Sequence, residues 1–306
     1  MRSMGHVATM HDPLWPAAST LLRGASSQRR TVALLGVPTY ATSLSARSAT
    51  SAPAAIRAAL ARYSTWSYED DVDLAERVDL VDLGDVADPD GPGGSARVAA
   101  ALASGPSREL SIILGGDNAA TFHALAALAG GDWDSLGLIT LDAHHDLREG
   151  ISNGSPVRQA LAAGLDGSHV VQIGLADFSN SSAYAAVARA QGVHVVSRAA
   201  LRRESLETVL AHALDVASEG GRRVYVDMDL DVADRAVVPG CPAAAPGGLS
   251  ADEVRRVARL VGADERVAAL DVTEIDVARD SEDERTVRLA ALIVLEALAG
   301  VTRRRT

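Results

Sequence analysis

The chain has no lysine: all 29 basic residues are arginine, set against 40 acidic ones, for a formal net charge of −11. That balance excludes the basic face a nucleic-acid binder normally needs. Cysteine occurs once, at Cys241, so no intrachain disulfide can form and a reducing, cytoplasmic setting is expected. Aromatics make up 3% of the residues against 47% apolar overall. The core must therefore be built from Ala, Val, Leu and Ile. No apolar run approaches the ~18 residues that would cross a bilayer, and residues 1–30 lack the apolar stretch of a signal peptide. No membrane partner is expected.

What is present is alternation. Apolar runs at 31–36, 78–83, 110–114, 136–141, 170–174, 193–196, 224–228 and 266–272 read as strands. Helical stretches separate most of them, at 54–63, 95–104, 119–128, 181–191, 206–218 and 251–261, with a closing helix at 285–298. The expected fold is α/β, with a mostly parallel sheet between helical layers. Residues 1–30 show no periodicity and read as a tail, flexible in part; 31–306 read as one catalytic domain.

The chemistry sits where the apolar runs end. Leu138 to Leu141 breaks into Asp142, His144, His145 and Asp146. Side chains alternate along a strand, so Asp142, His144 and Asp146 leave one side together and make a site for a divalent cation. Strand ends are where open α/β sheets carry ligands. A second apolar run ends in Asp227, Asp229 and Asp231. Carboxylates at spacing two, flanked by Val and Met, repel one another unless a cation neutralises them. Asp229 and Asp231 are expected to face the same cations. Two further strand ends carry Glu274 with Asp276, and Gly115-Gly116-Asp117-Asn118. The last is compatible with a plain strand–helix turn in which Asp117 or Asn118 caps the helix.

Together these elements resemble the ureohydrolase family of arginases, agmatinases and formimidoylglutamases, from about Val32 to Leu298. The shared motifs are Asp142-Ala143-His144-His145-Asp146, Asp227-Met228-Asp229-Leu230-Asp231 and Asp271-Val272-Thr273-Glu274. The resemblance implies an arginase-like three-layer α/β/α fold, a homo-oligomer and two Mn2+ ions. It assigns Asp142, His144, Asp146, Asp229 and Asp231 as metal ligands, with Asp142 and Asp229 bridging. His144 and Asp231 would complete one ion and Asp146 the other. Asp227 falls where the family has serine and is left out of the ligand set.

Two departures from the family pattern matter. Asn118 replaces the histidine of the family's Gly-Gly-Asp-His, so it could supply only an amide oxygen to its metal. Asn153 stands where arginases and agmatinases carry a catalytic histidine. The segment Asn153-Gly154-Ser155-Pro156-Val157-Arg158-Gln159, and Asp146-Leu147-Arg148, are similar instead to the formimidoylglutamase branch. The implied reaction is hydrolysis of N-formimidoyl-L-glutamate to L-glutamate and formamide. Asp146 would move the proton and Glu274 would pair with the amidinium. Arg148 and Arg158 would meet the substrate carboxylates, with Asn153 also at the substrate. The alternatives are an agmatinase- or arginase-type guanidino hydrolase and a non-catalytic ligand-binding relative. His123 reads as a packing histidine, and His145 as structural.

Overall fold

The computed structural model describes residues 12, 14–26, 28–45 and 51–305. The first strand, β1 (Arg30–Val37), is followed by α1 (Ala52–Ala59). Ser51 caps α1 by accepting from the Ala54 amide at 3.3 Å, and Pro53 occupies its first turn, where a missing N–H costs nothing. A two-stranded antiparallel hairpin, β2 (Trp66–Ser67) and β3 (Val72–Asp73), leads through the short α2 (Leu74–Arg77) to β4 (Val78–Asp85). Next come α3 (Gly94–Ser104), β5 (Leu110–Gly115), α4 (Ala119–Ala129) and β6 (Leu136–Leu141). Then α5 (Pro156–Ala163) and β7 (Val170–Leu175) precede α6 (Ser182–Ala190) and β8 (His194–Ser197). The chain closes with α7 (Leu206–Ala217), β9 (Arg223–Asp229), α8 (Ala251–Ala263), β10 (Val267–Thr273) and α9 (Arg285–Val301).

Eight strands form one sheet in the order β4-β1-β5-β10-β9-β6-β7-β8. Every pairing in it is parallel. The central strands are buried along their length, as strands covered on both faces must be. One core cluster holds Ile56, Leu210, Val257 and Ile293, from α1, α7, α8 and α9. The other holds Val98, Leu125, Val157 and Ala188, from α3, α4, α5 and α6. Helices thus cover both faces, in the three-layer arrangement expected. β10, β9 and β6 are adjacent at the centre, so their carboxyl ends deliver the acidic residues to one place.

The elements missed by sequence reading lie at the edge. The β2–β3 hairpin is two residues per strand and carries no periodic signal. Residues 14–26, expected to be part of a tail, lie against the outermost strand, and Arg23 N–H donates to the Leu80 carbonyl at 3.1 Å. Asp79, fully buried, accepts from Arg23 Nε at 3.0 Å, Arg29 Nε at 2.6 Å and the Ser26 amide at 2.7 Å. The charge that fastens this segment sits about fifty residues away, so the segment's own sequence does not disclose it. Residues 1–11 of the expected tail lie outside the described residues.

Candidate metal centre and active site

β6 ends at Leu141, and the chain leaves the sheet with Asp142 Oδ1 accepting from the His144 amide at 2.6 Å. β9 ends in a parallel turn of the same kind, where Asp229 Oδ1 accepts from the Asp231 amide at 2.8 Å. Asp231 Oδ1 crosses to the first turn and accepts from the Ala143 amide at 3.0 Å. The two acidic strand ends are thereby laced together. His144 Nδ1 lies 2.7 Å from Asp231 Oδ2 and 3.4 Å from Asp142 Oδ1.

Five residues converge. Donor atoms of Asp142, His144 and Asp231 lie within 4.8 Å of one another, as do those of Asp142, Asp146 and Asp229. Asp142 belongs to both groups and is fully buried, and its Oδ2 finds no hydrogen-bond donor. Two overlapping donor sets, a buried unsatisfied oxygen and four facing carboxylates fit a pair of divalent cations, since a buried carboxylate needs a counter-charge. This is the set expected from the sequence.

The electrostatics without metal show the strain. Burial and the neighbouring carboxylates Asp146 and Asp231 hold Asp142 well above the usual carboxylate range. Burial and Asp231 with Asp142 do the same to Asp229. Burial pushes Asp146 up to about 7, with Asp231 and Glu274 adding to it and His144 opposing. Burial would lower His144, but its hydrogen bond to Asp231 and the surrounding carboxylates lift it to about 9. Divalent ions must therefore displace protons from this site near neutrality. Affinity is expected to rise by roughly tenfold or more per pH unit between about pH 6 and 8, for at least one proton released. Titration calorimetry in two buffers of different ionisation enthalpy measures that release directly; a pH-independent affinity would contradict it.

Asn118 does not act as an oxygen ligand in this arrangement. Its Nδ2 donates to Asp146 Oδ2 at 2.6 Å, while its Oδ1 lies 2.7 Å from both Thr121 Oγ1 and Thr273 Oγ1. The assignment follows from the partners: a flipped amide would set oxygen against the Asp146 carboxylate. Asn118 therefore orients Asp146. Nor does its side chain cap α4; Asp117 Oδ1 does so, accepting from the Ala119 amide at 3.2 Å.

Glu274 follows β10 and holds a left-handed backbone conformation, φ +63°, as Asp146 does at +52°. A non-glycine residue held there costs about 1–3 kcal/mol, which the surrounding structure must offset. Glu274 Oε1 accepts from the Asn118 amide at 2.9 Å and from Asn153 Nδ2 at 2.7 Å. Asn153 Oδ1 in turn accepts from the Leu44 amide at 2.9 Å. Both ends of the Asn153 amide are thus engaged by the protein, and Asn153 positions Glu274.

His144, Asp146, Asp229, Asp231, Asn153 and Glu274 line a cavity of about 310 Å3. Arg148 stands exposed on its wall. Arg158 is absent from that wall: its Nε donates to the Leu147 carbonyl at 2.7 Å and its amide to the Asp146 carbonyl at 3.1 Å. Away from that wall, Arg158 braces the turn that carries Asp146. His123 bonds Ser95 Oγ through Nδ1 at 2.8 Å, on the helical layer.

Sequence reasoning missed two groups. Asp271 lies under the centre, accepting from Tyr225 Oη at 2.7 Å, Thr121 Oγ1 at 2.8 Å and the Met228 amide at 3.1 Å. Gln172 and Asn180, from β7 and the loop after it, hold the turn that carries His144 and His145. Asp271 had a signal as the first residue of the Asp271-Val272-Thr273-Glu274 motif, and Gln172 one as a polar residue inside an apolar strand; Asn180 had none.

A parallel α/β sheet with two overlapping sets of buried acidic donors at its carboxyl edge defines an α/β protein built to hold divalent cations, and comparison gives its family. The arginase family model matches residues 30–300, so the chain belongs to the arginase family. The crystal structure of formimidoylglutamase from Bacillus subtilis superposes with a TM-score of 0.88 at 30% identity, covering 100% of this chain and 97% of that one. The formimidoylglutamase of Halalkalibacterium halodurans is 39% identical over 194 residues, 62% of this chain and 60% of the relative. The chain thus aligns over somewhat less than two thirds of that relative's length. A Trypanosoma cruzi formiminoglutamase crystallised with Mn2+ shares the fold, with a TM-score of 0.84 at 22% identity over 95% of this chain and 100% of that one.

Proposed function

We propose that this protein hydrolyses N-formimidoyl-L-glutamate to L-glutamate and formamide with the help of two Mn2+ ions. The observation that carries the reading is that the cluster built around Asp142 opens through His144, Asp146, Asp229 and Asp231 onto the cavity that Glu274 also lines. A donor set of carboxylates with a single imidazole suits Mn2+. When bound, such a pair lowers the pKa of water and supplies a nucleophile near neutral pH.

The protein's own residues do the rest. Glu274, fixed through Oε1 by Asn118 and Asn153, pairs with the substrate amidinium and holds its carbon over the cluster. The water oxygen bonds to that carbon, and the bond from the carbon to the glutamate nitrogen breaks. Asp146, oriented by Asn118 Nδ2, takes the water proton and gives it to the departing nitrogen. Arg148 supplies a guanidinium at the cavity wall, suited to bidentate contact with a substrate carboxylate. We further place the protein in the cytoplasm as a homo-oligomer; the lone cysteine is buried, and among the described residues no helix is long and apolar enough to cross a membrane.

The test is turnover by the Mn2+-loaded protein of formimidoylglutamate, arginine, agmatine and guanidinobutyrate. Formimidoylglutamate should exceed the others by roughly 10²-fold or more in kcat/KM, and Arg148→Ala should raise its KM by about tenfold, the worth of one charge-assisted pair. Preference for a guanidine would make the protein a guanidino hydrolase. Metal binding without turnover of any of the four would make it a non-catalytic relative.

A further inference from the structure

His145 lies between two proposed metal ligands yet faces other partners. Its Nδ1 is 2.7 Å from Gln172 Oε1, and its carbonyl accepts from Gln172 Nε2 at 3.0 Å. Its amide donates to Asn180 Oδ1 at 2.8 Å, while Asn180 Nδ2 donates to the Ala143 carbonyl at 2.9 Å. Two side-chain amides thus grip one residue by its backbone and ring. Gln172 is fully buried within β7 and the imidazole is 6% exposed, so neither can turn without losing these bonds.

The grip dictates a tautomer. Gln172 presents its carbonyl oxygen to the ring, because its Nε2 is already committed to the His145 carbonyl. An oxygen acceptor requires the proton on Nδ1. In the neutral ring Nε2 is then left with its lone pair. Among the described residues nothing hydrogen-bonds to Nε2, and His145 is one of the residues lining the cavity that Asp146 and Glu274 also line.

We propose that His145, held as the Nδ1–H tautomer by Gln172, is a specificity-determining residue whose Nε2 accepts a hydrogen bond from an N–H of the substrate's amidine. Gln172 is a positioning residue acting through it. The inference rests on the amidine-hydrolase reading above. An acceptor in the cavity that Glu274 also lines favours ligands rich in N–H donors, as an amidine is, and disfavours those that offer only oxygens.

Two measurements on the full chain test this. In the metal-free protein labelled with 15N-histidine, the signals absent from His145→Phe identify its ring, which should show a protonated Nδ1 and an unprotonated Nε2. Adding formamidine should shift that Nε2 signal, and Gln172→Leu should mix the tautomers. In the Mn2+-loaded enzyme, His145→Phe should raise KM for the amidine substrate about tenfold, change kcat less than threefold and leave Mn2+ affinity within twofold. His145→Gln, which can place an amide group near the lost Nε2, should recover part of that loss. A protonated Nε2, or an unchanged KM in His145→Phe, overturns the inference. If the wild-type protein turns over no amidine, the functional reading fails, and the Nε2 response to formamidine still decides this one: a shift supports it and no shift overturns it.

Discussion

Replacing Asp229 by asparagine will, on the proposed reading, lower metal-dependent turnover by roughly 10³-fold or more, because the activated water would depend on ions this carboxylate helps to hold. The same change will stabilise the metal-free protein. Asp229 is buried beside Asp142 and Asp231, with its carboxyl held well above the ordinary range by burial and those charges. A group whose folded pKa is raised contributes stability that is present below its unfolded pKa and lost as pH rises through the folded one. At neutral pH the metal-free wild type therefore lies on the unfavourable side of this linkage, and asparagine removes the term. The gain should be about 1–2 kcal/mol, a few degrees in Tm for a chain of this size. Thermal melts of both proteins in chelator, with and without Mn2+, separate the two effects: the variant melts higher in chelator, and the wild type gains more from Mn2+. A variant that melts lower without metal would show that the cluster is held by internal hydrogen bonds and not by cations.

Glu274→Gln carries the second large effect. The substitution is nearly isosteric, and its side-chain oxygen can keep the bonds now made to Asn118 N–H and Asn153 Nδ2. On the proposed reading, what it loses is the charge opposite the substrate's amidinium. Removing a charge-assisted partner in a buried site costs about 3–4 kcal/mol, or roughly 10²–10³ in kcat/KM. Mn2+ affinity should change little, because Glu274 belongs to neither group of converging ligand atoms. Steady-state kinetics beside a Mn2+ titration checks both halves. Equal losses in the two would reassign Glu274 to the metal.

The cluster was legible in the sequence because strand ends announce themselves. An apolar run that breaks into Asp142, His144 and Asp146 fixes both the burial and the side, and a second run ending in Asp229 and Asp231 repeats the pattern. The parallel sheet was legible for the same reason, since buried strands read as apolar runs separated by helices. The roles of Asn118, Asn153 and Arg158 were not, because each depends on where a distant partner lies. The Asn118 amide is turned by Thr273 and Asp146, and Asn153 is spanned between Leu44 and Glu274. Arg158 is drawn to a carbonyl of its own neighbouring turn. Gln172 shows only as a polar residue in an apolar run; the register of β7 beside β6 is what brings it to His145.

Everything chemical here depends on cations gathering where the ends of β6 and β9 meet. Anomalous diffraction at the manganese edge, from crystals of the wild-type protein grown with Mn2+, locates them without reference to activity. The account predicts two peaks, one against Asp142, His144 and Asp231 and the other against Asp142, Asp146 and Asp229. No peak at these residues in crystals that hold manganese elsewhere would contradict it.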